Sequence, residues 1–122
     1  MERAPNILLE KSERFSSRII KMSQYLTATK KEYVMSKQIL RSGTSIGANL
    51  AEGLNAQSTA DYLNKHNIAL KEANESLYWI KELYEGNYLN EKEFTSIYND
   101  CEELVKMLVT SVKTLKRKLG RM

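Results

Sequence analysis

A chain of 122 residues, 42% hydrophobic and 28% charged, is long enough for one packed core, too short for two ordinary domains, and too apolar for a disordered segment. Its net charge of +4 permits an anionic partner such as RNA without requiring one. No apolar run approaches the roughly 20 residues of a membrane span, and the N-terminus lacks a signal peptide's apolar segment, so a cytoplasmic location is expected.

The first helix is predicted over residues 6–28. Leu8, Phe15, Ile19, Met22 and Leu26 recur at steps of seven, four, three and four, while Lys11, Glu13, Arg14, Arg18 and Lys21 occupy the other face. Thr29-Lys30-Lys31-Glu32 has the form of a capping box, so a second helix is expected to start there and span about 31–55. Within it, Gly43, Gly47 and Ala51 lie four residues apart beside Ile39, Ile46 and Leu50, making an apolar groove for a closely packed neighbour. A helical glycine costs about 0.5–1 kcal/mol relative to alanine, and close packing is the expected compensation. Gln38, Arg41, Ser45, Asn49 and Glu52 form a polar stripe on the adjoining face.

The third helix is predicted over 58–85, capped by Ser58 with Asp61 in the carboxylate position. Tyr62, Ala69, Ala73, Leu77, Ile80 and Tyr84 form its stripe. Antiparallel pairing across a turn centred near Ala56 and Gln57 places Arg41 near Glu72, Gln38 near Glu75 and Asn49 near Asn64. The expected result is a structural polar layer that fixes register. Tyr78 and Trp79 are adjacent, so their directions differ by about 100° and at least one ring should face outward, where nucleic-acid stacking and a subunit contact both suit it; the subunit contact is favoured because no basic cluster interleaves with the pair. Gly86-Asn87 reads as a left-handed stop, and Asn90 with Glu93 caps a fourth helix over 90–118. Ile97, Cys101, Leu104, Leu108, Val112 and Leu115 form its seam. Together these elements predict one domain over residues 1–122: an all-α, antiparallel, up-down-up-down four-helix bundle.

Chemistry is sparse. The di-iron bundle pattern needs Glu-x-x-His, but the one histidine, His66, has no glutamate three residues before it and reads as a helix-surface or satisfied core residue. G-T-S-I-G lacks the ending of a phosphate loop and falls in mid-helix, and no Ser-His-Asp arrangement follows from spacing. Cys101, among Ile97, Leu104 and Leu108, reads as a buried thiol. No catalytic residue, metal ligand or cofactor is expected, and the chain does not read as an enzyme. The C-terminal cations Lys113, Lys116, Arg117, Lys118 and Arg121 complement the negative end of a helix dipole. The first four of these are also the candidates for phosphate contacts with nucleic acid.

Q-I-L-R-S-G-T-S-I-G-A-N-L-A-E-G from Gln38 to Gly53, with I-A-L-K-E-A-N-E-S-L-Y-W-I from Ile68 to Ile80, resembles the four-helix-bundle proteins encoded in intervening sequences of bacterial 23S ribosomal RNA genes, the S23 family. The resemblance implies a ring-shaped homopentamer and gives Gln38, Arg41, Ser45, Asn49, Glu52 and Glu72 roles in packing and polar registration. The accessory variability proteins of diversity-generating retroelements are similar; they are basic pentamers that bind nucleic acid and a reverse transcriptase. This chain is milder, with fifteen acidic residues against nineteen basic ones. The expected function is a non-enzymatic, RNA-associated homo-oligomer, and the alternative is a protein-interaction scaffold. A continuous basic face would favour the first; a mixed surface with an exposed apolar patch would favour the second.

Overall fold

Asn6 accepts a hydrogen bond from the Leu9 amide at 3.0 Å and so starts α1 (Ile7–Ala28), the first element in a computed structural model that describes residues 6–121. Thr29 does not form the expected capping box. It closes α1 instead, its amide donating to the Tyr25 carbonyl at 2.9 Å. Lys31 then takes φ 56, a left-handed conformation through which no right-handed helix can run. α2 (Met35–Gly53) therefore begins four residues later than the expected residue 31. Its orphan amides are met by Glu32, whose buried carboxylate accepts from the amides of Val34 at 3.2 Å and Ser36 at 2.7 Å.

Ser58 caps α3 (Thr59–Glu85), accepting from the Asp61 amide at 3.1 Å. Asn87, at φ 66, supplies the left-handed residue after α3; Gly86 keeps a negative φ and closes the helix through its amide. Asn90 and Glu93 then form a reciprocal capping box, with bonds of 2.8 and 2.9 Å, at the head of α4 (Glu91–Gly120).

The four helices pack in sequence order, α1 on α2, α2 on α3 and α3 on α4, and α1 returns to α4 to close the bundle. Neighbours run antiparallel, since rising residue numbers on one helix pair with falling ones on the next: Glu52 meets Lys65 at 2.7 Å and Arg41 meets Glu72 at 3.0 Å, while Lys11 meets Glu103 and Arg18 reaches Asp100 and the Ser96 hydroxyl, the latter at 2.8 Å. Phe15, Ile19, Ile39, Ile46, Ile80, Leu104 and Leu108 fill the centre. Each such side chain contributes about 1.5–3 kcal/mol by leaving water.

The glycine groove of α2 receives α1. A Cβ on Gly43 would lie 2.9 Å from two Ile19 side-chain carbons, and one on Gly47 would lie 3.3 Å from the Ser12 hydroxyl. Both glycines are buried. Between α2 and α3 the Ser42 and Ser76 hydroxyls meet at 2.9 Å, fully buried. Each serine stands at a core position, Ser42 between Ile39 and Ile46 and Ser76 between Ala73 and Ile80, which is the signal by which sequence spacing could have found them.

Candidate nucleic-acid interface

The sign of charge changes along α4. Its first half carries Glu91, Glu93, Asp100, Glu102 and Glu103, and most of these are engaged: Glu93 in the cap, Asp100 with Arg18, Glu103 with Lys11 and Glu102 with Lys106. After Glu103 the helix has no acidic residue. Lys113, Lys116, Arg117, Lys118 and Arg121 are all exposed, and no ion pair among the described residues involves them.

Lys106, Lys113, Arg117 and Arg121 follow at steps of seven, four and four, which aligns them along the face opposite buried Leu104, Leu108 and Val112. At 1.5 Å per residue this ridge is about 22 Å long. Lys116 and Lys118 flank it. Thr114, Arg117, Lys118 and Arg121 line a shallow depression on the same surface.

Lys118 also borders a larger open cavity of about 460 Å³ at the end of the bundle. Its walls come from the turn between α2 and α3 (Leu54, Ala56, Gln57), the start of α3 (Ser58, Thr59, Tyr62), Asn6 and Leu115. The Tyr62 ring lies against Gly53, where an added Cβ would make ordinary contact with the ring at 3.6 Å. Beneath Tyr62, at 4.4 Å between ring centroids, is His66, which is 4% exposed with its Nδ1 2.7 Å from the Ser111 hydroxyl. Burial lowers its pKa below 6.5. His66 is thus a satisfied core residue that ties α3 to the root of the cationic stretch.

The polar stripe lies on the opposite side of α3. Arg41 reaches Glu72 at 3.0 Å and also pairs with Glu75, displacing the expected contact of Gln38 with Glu75. Asn49 does not turn to Asn64; its amide donates to the Ser45 carbonyl at 2.8 Å, and Ser45 donates to the Arg41 carbonyl at 2.6 Å. The pairs Glu52 with Lys65 and Ser42 with Ser76 lie about one helical turn beyond the expected register, whereas Arg41 with Glu72 keeps it.

Cys101 is buried, its thiol 3.4 Å from the Ala73 carbonyl, and its pKa is pushed up to about 12 by burial and then by Asp100. Tyr78 is 54% exposed, while Trp79 packs on the core with its indole Nε1 buried and unpaired among the described residues. Tyr33 and Val34, in the loop before α2, are also exposed. Among the described residues no group of three or more His, Cys, Asp or Glu could hold a metal ion, and no helix is long and apolar enough to cross a membrane.

Comparison with known proteins agrees with this architecture. The family described as 23S rRNA-intervening sequence protein matches residues 5–110. The crystal structure of a protein of unknown function from the S23 ribosomal protein family of Bacteroides thetaiotaomicron VPI-5482 superposes with a TM-score of 0.86 at 50% identity, covering 88% of this chain and 99% of that one. No curated protein matches.

Proposed function

The chain belongs to the 23S rRNA-intervening sequence protein family, and on that premise we propose that it is a non-enzymatic, single-domain, cytoplasmic homo-oligomer that associates with RNA through the cationic end of α4. The observation that carries this reading is the run from Lys113 to Arg121, five exposed cations with no acidic neighbour on their helix and no ion pair among the described residues. Cations paired inside a protein have little left to offer a phosphate; these are free to release the counterions of a polyanion. A homopentamer, the assembly implied by the family resemblance, would repeat this modest patch and raise avidity without base-specific contacts. Exposed Tyr78 beside Trp79 is the proposed subunit contact.

Binding of a single-stranded RNA against salt concentration tests the assignment. About four phosphate contacts per protomer give a log–log slope of roughly −3. Replacing Lys113, Lys116, Arg117 and Lys118 together with alanine should flatten that slope, and an unchanged slope rejects these residues. The scaffold reading draws on a different observation, the exposure of Tyr33 and Val34 at 60% and 71%. It is favoured if the protein captures a protein partner as well after nuclease treatment as before.

A further inference from the structure

We infer that the cavity at the end of the bundle holds an unpaired nucleobase of the strand whose phosphates rest on α4, so that the protein selects single-stranded or looped RNA over duplex. The inference depends on the proposed association with RNA and adds to it the form of the ligand.

Lys118 joins the two surfaces, since it lines the cavity and also the depression formed with Thr114, Arg117 and Arg121. A phosphate held there leaves its own nucleoside at the cavity mouth. The volume of about 460 Å³ falls within the roughly 300–1,000 Å³ of small-molecule sites. The lining suits a base: Tyr62 gives an aromatic ring, Leu54 and Leu115 give apolar walls, and Gln57 in the exposed turn gives an amide with both donors and an acceptor. The Asn6 oxygen is already committed to the Leu9 amide, which leaves its N–H groups available. Among the described residues no carboxylate lines the cavity. A base in a duplex has its hydrogen-bonding edge occupied and both faces stacked, and it cannot enter; an unpaired base can.

The test uses the full chain and three labelled probes followed by fluorescence anisotropy: a six-nucleotide oligoribonucleotide, an abasic strand of the same length and charge, and a blunt RNA duplex. The base-bearing strand is expected to bind about tenfold more tightly than the abasic one, the factor that one base stacked on an aromatic ring supplies. Tyr62→Ala should erase this ratio while leaving the salt slope, and Tyr62→Phe should retain it. Because Tyr62 also packs against Gly53 and His66, a second variant, Ala56→Trp, fills the cavity from the turn and should erase the ratio too. Equal binding of base-bearing and abasic strands by the wild type, or a ratio that survives both Tyr62→Ala and Ala56→Trp, overturns the inference and leaves the phosphate contacts standing. If no probe binds at low salt, the association with RNA falls as well.

Discussion

At Gly43 the missing side chain is filled by Ile19 of α1, whose two nearest carbons stand 2.9 Å from where a Cβ would be. Ile19 is fully buried and branched at Cβ, so it cannot swing aside. Alanine would recover about 0.5–1 kcal/mol of helix propensity and lose about 1–3 kcal/mol to overpacking. Gly43→Ala should therefore be destabilising by about 1–2 kcal/mol in urea unfolding, and Gly47→Ala, with 3.3 Å to a serine hydroxyl, by less. His66 gives a second expectation at this scale. Its folded pKa lies below the unfolded 6.5, so between the two values the unfolded chain binds more protons. Stability should be full above pH 6.5 and fall as pH drops below it, levelling off beneath the folded pKa. Unfolding of His66→Gln measured across the same pH range should lack that slope. The tight glycines were legible because small residues four apart on a helix have few other uses. The Ser42–Ser76 contact was not, because two small uncharged side chains at core positions carry no charge complementarity to mark them as partners.

Helix starts were legible wherever one residue did the capping. Ser58 and Asn90 satisfy amides that their own sequence windows point to. α2 differs, since the Thr29 window offered a complete capping pattern and the chain uses only its carboxylate, from outside the helix. Nothing in the identity of Lys31 announces a left-handed residue, for glycine and asparagine usually take that conformation. The consequence is testable: Glu32→Ala removes the acceptor of two amides and should cost about 1–2 kcal/mol in denaturant unfolding, whereas Thr29→Ala should change little. α4 was read correctly as one long seam, and its candidate cations were named from sequence. The cavity beside them was not, because it is assembled from the residue that caps α1, the end of α2 and the turn after it, α3 and α4, and no single window contains it.

For the whole molecule the exposed aromatics set an expectation about assembly. If Tyr78 lies in the contact between copies, Tyr78→Lys should lower the mass measured by light scattering while the circular dichroism stays helical; an unchanged mass places the contact elsewhere. Cys101, held in the core with a pKa near 12, should resist alkylation at pH 8 in the folded protein and react once it is unfolded. The general architecture could be read because four amphipathic stripes with short links leave few other ways to hide apolar surface.

The reversal of charge along α4 reaches beyond one subunit. From Glu72 to Glu103 there are nine acidic residues and two basic ones; from Leu104 onward there are six basic residues and none acidic. Lys21, Lys30, Lys31 and Lys37 of the α1–α2 corner offset the carboxylates at the α3–α4 loop end, so the bundle is unevenly rather than oppositely charged, with its exposed cations gathered where α4 finishes. Copies standing side by side about a rotation axis would bring their α4 ends to one rim, giving a ring with one rim richer in exposed cations. A polyanion approaching such a ring would be drawn more strongly to that rim than to the other, so a single subunit's charge order would decide which way up the assembly meets its strand.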